Sequence, residues 1–331
     1  MILLAGIPSE TPLRLVAEAL DARGATYRLF NQREVADCDF AFHIDDGGID
    51  GELNLCGERI ALHQLTAAYH RMMDDARLPD IKPLPADAPP RRHARALHDA
   101  LYRWIEVAPG RIVNRSDPQG SNMSKPFQGQ LVRAHGFDIP ETLISNDPDA
   151  VRAFHDSHGP LIYKSISGVR SIVAELDVTD RERLERIRWC PVQFQQRVAG
   201  TDIRVHVVGE DVHATEIASD GVDYRYAPRN GGTTELAAIT LPDDVAERCV
   251  AMTAALGLSL SGIDLRRGAD GRYYCFEVNP SPAFSYYELN TGQPIAASIA
   301  ALLDTESAMK ERTSARVLTP PMRPDAVPLS R

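Results

Sequence analysis

Residues 261–280 carry three oxygen-bearing side chains whose spacing could build a metal site. The Asp270-Gly271 pair between two apolar, aromatic-rich runs predicts a β-hairpin with a two-residue turn. Counting outward from that turn sets Asp264 opposite Glu277, where two carboxylates repel each other unless a cation lies between them. Asn279 projects to the same face by the two-residue period of a strand. Because such oxygen ligands suit Mg²⁺, which often also binds substrate phosphates, the segment predicts a metal–nucleotide site.

The alternative for this segment is a solvated hairpin in which the two acids pair with neighbouring arginines. Three arginines lie close enough in sequence to do this: Arg266, Arg267 and Arg272. A slip of one residue in the loop would also move one acid to the opposite face of the sheet. Spacing alone therefore leaves a metal site and a surface ion-pair cluster open.

Two lysines are candidates for binding the phosphates. Lys125 follows a Ser/Asn segment that predicts the start of a helix running to about His135, and a helix N-terminus favours anions. Lys164 lies on a predicted strand, on the same face as Ile162 and Ile166, where its amine needs an anion. The alternative for Lys125 is an ordinary solvated lysine, and for Lys164 an amine that extends out to solvent.

A short polar loop directly follows Lys164 and could close over a polyphosphate. Hydroxyl groups, backbone amides and a guanidinium are suited to this. The candidate residues are Ser167, Gly168 and Arg170. The chain has no Gly-x-x-x-x-Gly-Lys-Ser/Thr motif, so this loop is not a Walker loop, and its one glycine identifies nothing alone.

A predicted strand at residues 191–198 leads into another at residues 200–209, in which polar and apolar side chains alternate. The polar face carries Asp202, Arg204 and His206, and it could line a cleft. The alternative is the solvated side of an antiparallel strand, and we expect His206 to be structural.

The elements before residue 110 predict a separate α/β lobe that opens as strand–helix–strand. Strands are expected at residues 2–7, 27–30, 39–44 and 51–62, and helices at 13–22 and 93–105, with a proline-rich connector at 78–90. No Gly-x-Gly-x-x-Gly motif joins the first strand to its helix, which removes the usual reason to propose NAD. We expect Tyr69 and Arg71 to face the rest of the chain rather than a ligand.

Composition limits the partners. The 331 residues are 44% hydrophobic and carry a formal charge of -10, which disfavours a nucleic-acid surface. The five cysteines are scattered and form no Cys-x-x-Cys, which favours a reduced, cytoplasmic protein over a disulfide framework. We expect no signal peptide, and no apolar run approaches the length of a membrane span.

Taken together in order, these motifs resemble the ATP-grasp ligases, over about residues 114–303. The most specific elements are Gly262-Ile-Asp-Leu-Arg266 and Glu277-Val-Asn-Pro-Ser-Pro282. Asp202-Ile-Arg204 resembles the ribosomal-protein glutamate ligase (RimK-like) branch. Within it, the chain is most similar to graspetide synthetases, which close ester or amide links between side chains of a precursor peptide. The motifs of that similarity are the start of the 191–198 strand, Asp223-Tyr-Arg225, Phe284-x-Tyr-Tyr-Glu288 and Thr291-Gly-Gln-Pro294.

The resemblance implies an α/β (α+β) ATP-grasp fold, with two α+β subdomains that grip ATP behind an N-terminal lobe. The implied divisions are residues 1–110 for that lobe, 111–190 for the central subdomain and 191–304 for the C-terminal subdomain with the metal site. Residues 305–331, which are rich in proline and charge and have no periodic apolar face, are predicted to be a disordered tail.

The resemblance also implies a role for each candidate residue. Phosphates would meet Lys125, Lys164, Ser167, Gly168 and Arg170, and the linker at Gln195, Gln196, Arg197 and Val198 would hold adenine through its backbone, with Asp202 on the ribose. Asp264, Glu277 and Asn279 would coordinate Mg²⁺, as two ions that Mn²⁺ can replace. Arg204, Arg225 and Arg266 would stabilise an acyl phosphate. One departure is Gln196, which stands where this branch often has an acid, so the resemblance implies adenine contacts by the backbone here and none by that side chain.

The substrate stays open among four hypotheses. The first is a ligase that crosslinks a precursor peptide, with the first lobe docking a leader. The others are a small-molecule carboxylate–amine ligase, an enzyme that adds glutamate to a protein tail, and a non-catalytic nucleotide-binding scaffold. The implied partners are a peptide or small carboxylate and an amine or hydroxyl acceptor, with no nucleic acid, no membrane and a homodimer as one expectation.

Overall fold

The computed structural model describes residues 1–46, 48–166, 173–177, 179–180, 183–219 and 234–304. Four predictions of site residues fall outside the described residues: Ser167, Gly168, Arg170 and Arg225. The predicted tail at 305–331 lies outside them as well.

The first sheet is parallel, with the strand order β2-β1-β6-β7. Its strands are β1 (Ile2–Gly6), β2 (Tyr27–Asn31), β6 (Ala67–His70) and β7 (Arg111–Val113). Helix α1 (Thr11–Ala22) covers one face, because Leu13, Val16 and Leu20 repeat at helical spacing and are all buried. Helix α2 (Pro89–Val107) belongs to the hydrophobic core on the other face, through Leu101 and Trp104. The predicted strand–helix–strand opening is confirmed.

A small antiparallel sheet lies between β2 and β6 in the chain, and one prediction fails there. Its strands are β3 (Cys38–Asp45), β4 (Gly48–Leu55) and β5 (Glu58–Ala61). The single strand predicted for residues 51–62 is therefore two strands. Cys56 and Gly57 both have positive φ, 51° and 98°, and this turn reverses the chain.

The central part of the chain forms an antiparallel sheet in the order β10-β9-β11-β8. Its elements are α3 (Ser116–Gln119), α4 (Lys125–Ala134), β8 (Thr142–Ser145), α5 (Pro148–His158), β9 (Leu161–Lys164), β10 (Ala174–Glu175) and β11 (Val192–Gln196). Val151, Leu161 and Phe194 form its core. The helix predicted from Lys125 is confirmed, although the side chain at its N-cap, Ser124, makes no capping hydrogen bond.

The last described part is a five-stranded antiparallel sheet in the order β14-β13-β12-β15-β16. Its elements are β12 (Gly200–Val208), β13 (Asp211–Ser219), β14 (Thr234–Ile239), α6 (Asp243–Ala255), β15 (Leu260–Gly268), β16 (Tyr273–Asn279), α7 (Ser285–Thr291) and α8 (Ile295–Leu303). One face is apolar and packs on α6, with Ile203, Val205 and Ile263 against Cys249 and Met252. Polar and apolar residues alternate along β12 as predicted, so its polar side chains lie on the opposite face of the sheet.

The first lobe is joined to this sheet through a shared core and a buried amide. Leu4 and Tyr69 of the first lobe pack in one cluster with Phe284 and Ile295. The side chain of Asn114 donates to the carbonyl oxygens of Leu260 (2.7 Å) and Pro280 (2.6 Å), and accepts from the N–H of Ser259 (2.8 Å) and of Leu260 (3.1 Å). Strand β7 belongs to the first sheet, just beyond the predicted end of that lobe at residue 110, and the division into domains stays a prediction.

Among the described residues, no helix has the length and apolar character needed to cross a membrane.

Candidate functional site

The β15–β16 hairpin pairs Asp264 with Glu277, as the spacing predicts, but through a different geometry. The loop has three residues, because the N–H of Gly268 donates to the carbonyl oxygen of Arg272 (2.9 Å) and Gly271 takes φ 78°. That loop shifts the register by one residue. A β-bulge between Asp264 and Leu265 shifts it back.

Arg204 occupies the face that carries Asp264. Its Nη1 donates to Asp264 Oδ1 (2.7 Å), and its side chain is 7% exposed against 34% for Asp264. The guanidinium lies over Gly262, where an added Cβ would come within 2.0 Å of Arg204 Nη2. The ring of Tyr287 lies 5.7 Å from Arg204 Cζ. Glycine at position 262 is therefore what leaves room for the ion pair.

A second ion pair lies two residues along the same strands. Arg266 donates through Nε and Nη2 to both carboxylate oxygens of Asp202, at 2.7 and 2.8 Å. Arg266 Nη1 also donates to the carbonyl oxygen of Val198 (2.8 Å). Asp202, the predicted ribose ligand, is therefore bound to Arg266, one of the predicted acyl-phosphate ligands. Arg266 also bonds to the linker.

His206 is buried beside Arg204, two residues along β12. Arg204 Nε donates to His206 Nε2 (3.4 Å), and the His206 ring packs 5.0 Å from that of Tyr287. Burial, and then the positive charge of Arg204, lower the pKa of His206 well below its usual 6.5. The neutral ring supports Arg204, which agrees with the structural role expected for His206.

The side-chain amide of Gln128 holds β16, the edge strand that carries Glu277 and Asn279. The sequence provided no reason to select this glutamine. Its Nε2 donates to the carbonyl oxygen of Val278 (2.8 Å) and its Oε1 accepts from the N–H of Val278 (2.9 Å). This amide fixes the backbone between Glu277 and Asn279. Gln128 is only 2% exposed, and no sequence signal could have selected it, because its partner lies 150 positions along the chain.

Asp264, Glu277 and Asn279 are suited to holding Mg²⁺. The two carboxylates come from directly paired positions, and one carboxylate oxygen of Asp264 is bonded to Arg204. Asn279 Oδ1 accepts from the N–H of Ser281 (2.9 Å), which orients the amide oxygen and leaves it a second lone pair. Among the described residues, no three His, Cys, Asp or Glu side chains cluster as a metal site. The ion would therefore need the Asn279 oxygen and phosphate or water oxygens to complete its shell.

The central sheet presents Lys164 on the face opposite its core. Lys164 pairs with Gln193 across the strands, and Ile162 pairs with Gln195. Both glutamines are buried, and their Oε1 atoms have no partner among the described residues. Lys125 begins α4. These placements fit the predicted phosphate contacts, which stay predictions.

Two backbone N–H groups of the predicted adenine linker already donate hydrogen bonds within the protein. The N–H of Gln196 donates to Glu141 (2.9 Å) and that of Arg197 to Pro160 (2.8 Å), both to carbonyl oxygens. These two N–H groups are therefore not available to a nucleotide, and the adenine contact of the linker stays a prediction.

The known proteins that this chain resembles are ATP-grasp ligases and proteins named glutamate ligases. The RimK-like ATP-grasp domain family matches residues 124–303. A probable alpha-L-glutamate ligase of Alkalilimnicola ehrlichii is 30% identical over 232 residues, which cover 66% of this chain and 75% of that protein. A structure of the ATP-grasp ligase PsnB with minimal precursor, Mg and ADP is 30% identical, with a TM-score of 0.73 over 92% of this chain and 97% of that one. A Chryseobacterium gregarium RiPP-associated ATP-grasp ligase with ADP, leader and core peptide has a TM-score of 0.77 at 21% identity, covers 92% of this chain and 96% of that one, and shows the fold.

Proposed function

The chain belongs to the RimK-like ATP-grasp family and is an ATP-dependent ligase, and we propose that it links side chains within a ribosomally made precursor peptide. A peptide carboxylate oxygen attacks the γ-phosphorus of ATP, which gives an acyl phosphate and ADP. A hydroxyl or amine of the same peptide then attacks the acyl carbon. Phosphate leaves with the bonding electrons, and the acceptor loses its proton.

The pairing of Asp264 with Glu277 carries this proposal. Two carboxylates on adjacent strands, with one arginine bonded to one of them, retain negative charge for a cation. Bound Mg²⁺ would act as a Lewis acid on the γ-phosphate. In the proposal Lys125 and Lys164 hold the phosphates, and Asp202 and the Gln195–Val198 linker hold the nucleoside. Ser167, Gly168 and Arg170 are proposed to close over the phosphates.

Arg204 is the proposed ligand of the acyl phosphate. It is buried and reaches Asp264, so its charge acts at the metal site in a partly desolvated environment. We propose that Arg266, which also bonds to the linker, helps to stabilise the acyl phosphate. The same role is proposed for Arg225 because it belongs to one of the motifs that resemble the family. Arg266 donates to both carboxylate oxygens of Asp202 and to the carbonyl oxygen of Val198, whereas Arg204 donates to one oxygen of Asp264, so we expect Arg204 to contribute more than Arg266.

The peptide substrate is supported by the likeness to PsnB, which is solved with its minimal precursor. Glutamate addition is the second candidate, because relatives named probable alpha-L-glutamate ligase reach 30% identity. We further propose two Mg²⁺ ions, replaceable by Mn²⁺, a homodimer and a cytoplasmic location. The location is supported by five free cysteines.

The test uses synthetic copies of the peptides that are encoded by short open reading frames beside the gene. The peptides chosen contain Thr or Ser together with Asp or Glu. The protein is incubated with the peptide and Mg-ATP, and peptide mass and ADP are measured. The proposal predicts loss of one water per link with one ADP formed. Glu277→Gln should abolish both, whereas Glu247→Gln, on the exposed face of α6, should change neither. Peptides that gain glutamate when free glutamate is supplied would instead establish the second candidate.

A further inference from the structure

Two cysteines of the first lobe lie side by side at one end of the small antiparallel sheet. Cys38 is the first residue of β3, and its Cα pairs with that of Leu55, the last residue of β4. Cys56 follows Leu55 directly. Paired Cα atoms on antiparallel strands lie about 4.5–5.5 Å apart, and a disulfide spans Cα atoms about 4.4–6.8 Å apart. A residue one position beyond the pair is therefore within the range of a disulfide.

Both sulfur atoms contact the same residue, Glu34. Cys38 Sγ donates to the carbonyl oxygen of Glu34 (3.4 Å), and Cys56 Sγ lies 3.9 Å from Glu34 Oε2. The N–H of Cys56 donates to the carbonyl oxygen of Asp37 (3.1 Å), which holds the turn against the residue before Cys38. Because Cys56 has a φ of 51°, it leaves the alternation of the strand, and its side chain can lie on the same side as that of Cys38.

The two thiols differ in accessibility. Cys38 is 2% exposed and belongs to the core of the first lobe, whereas Cys56 is exposed. Burial is the main cause that raises the pKa of the Cys38 thiol to about 11, and the backbone N–H and the thiol of Cys56 are the neighbours that act on it next. Because the thiolate is the attacking species, Cys56 meets an oxidant first, and attack by Cys38 is the slower second step.

The other three cysteines are placed differently. Cys249 and Cys275 are 0% and 1% exposed, in the core between α6 and the five-stranded sheet, so an oxidant does not reach them in the folded protein. Cys190 is exposed and lies just before β11 in the central part of the chain, away from the first lobe. Cys190 therefore serves as a control for exposure alone.

We propose that Cys38 and Cys56 form a redox modification site, which a small-molecule disulfide such as oxidised glutathione converts into an intramolecular disulfide. The Cys56 thiolate attacks one sulfur of the small disulfide, whose sulfur–sulfur bond breaks and releases one thiolate. The Cys38 thiolate then attacks Cys56 Sγ and displaces the second. The two cysteines lose two electrons and two protons, and the small disulfide takes these up as two thiols. Excess reduced thiol reverses both steps, as expected for a transient bond in a reducing compartment.

The test treats the folded, full-length protein with oxidised glutathione, blocks the remaining thiols with N-ethylmaleimide, and weighs the tryptic peptides without reduction. Trypsin leaves Cys38 and Cys56 in one peptide, residues 34–59, and Cys190 in another, residues 189–197. The proposal predicts that peptide 34–59 loses two hydrogens and carries neither maleimide nor glutathione. Peptide 189–197 should carry one or the other.

Two variants separate the two steps. Cys38→Ser removes the second thiol and should leave glutathione attached to Cys56. Cys190→Ser is the matched control and should leave the bridge in peptide 34–59 unchanged.

A second measurement needs no variant, because it compares folded wild type with the same protein unfolded in urea, in one fixed mixture of reduced and oxidised glutathione. The ratio of bridged to open peptide should be roughly tenfold or more higher for the folded protein, since a bridge that fits the fold stabilises it to the same extent.

Three results would each overturn the proposal: maleimide on both cysteines of folded wild type, glutathione retained on Cys56 when Cys38 is present, or equal ratios of bridged to open peptide in folded and unfolded protein. The inference goes beyond the proposed function, and its test needs neither ATP nor a peptide substrate. Its outcome is thereby independent of the ligase reaction.

Discussion

Gly262→Ala should break the Arg204–Asp264 ion pair without changing any charge. The new Cβ would lie 2.0 Å from Arg204 Nη2 and 2.6 Å from Pro282 Cβ, far inside contact distance. The arginine group is the end of a flexible side chain, whereas Pro282 Cβ belongs to a ring that is fixed to the backbone, so Arg204 is the group that moves. Its charge-assisted bond to Asp264 at 2.7 Å is then lost.

The expected cost is about 2–4 kcal/mol of unfolding free energy. Overpacking contributes about 1–3 kcal/mol and loss of a charge-assisted hydrogen bond about 1.5–3 kcal/mol, and relaxation keeps the sum below their total. The assay is urea unfolding of wild type, Gly262→Ala, Arg204→Ala and the double variant. Gly120→Ala is the control, since no atom lies within 4 Å of its new Cβ and its φ of -60° suits alanine.

The double variant decides the cause. If Gly262→Ala acts through Arg204, its cost should shrink by more than half in the Arg204→Ala background. An unchanged cost in that background, or wild-type stability of Gly262→Ala, would refute the reasoning.

Two further predictions concern stability. Asn114→Ala removes four hydrogen bonds of a buried amide and should lower the unfolding free energy by about 3 kcal/mol or more in urea titration; a loss below about 1 kcal/mol would show that Asn114 does not join the two parts. The lowered pKa of His206 means that the unfolded chain takes up a proton near pH 6.5 that the folded chain refuses, so stability is present above pH 6.5 and is lost as pH falls below it. His206→Gln should reduce that loss, by up to about 1.4 kcal/mol per pH unit, in melts from about pH 7 to 5, and an unchanged slope would contradict it.

The pairing of Asp264 with Glu277 was predictable, but the reason given for it from the sequence was incomplete. The Asp270-Gly271 signal marks a reversal, yet a two-residue turn and a three-residue loop share that signal. The extra loop residue is compensated by a bulge at Phe276, whose ring lies 5.4 Å from Arg266 Cζ. A bulge has no dependable sequence signature, so the register was right because two deviations cancel.

Long-range hydrogen bonds were beyond the sequence. Asn114 bonds to residues about 145 to 166 positions away, and Gln128 to one 150 away. Neither periodicity nor motif spacing encodes such a partner, because each depends on how separate sheets pack. The parallel opening of the first lobe and the polar face of β12 were predictable, since strand alternation and helical spacing are local properties.

The most direct measurement of the central claim is calorimetric titration of a non-hydrolysable ATP analogue, with and without Mg²⁺, into wild type, Glu277→Gln and the control Glu247→Gln. The metal site predicts that Mg²⁺ strengthens binding to wild type and to the control, and that Glu277→Gln weakens the Mg²⁺-dependent binding by roughly tenfold or more. Absence of binding, or binding indifferent to both Mg²⁺ and Glu277, would contradict the account.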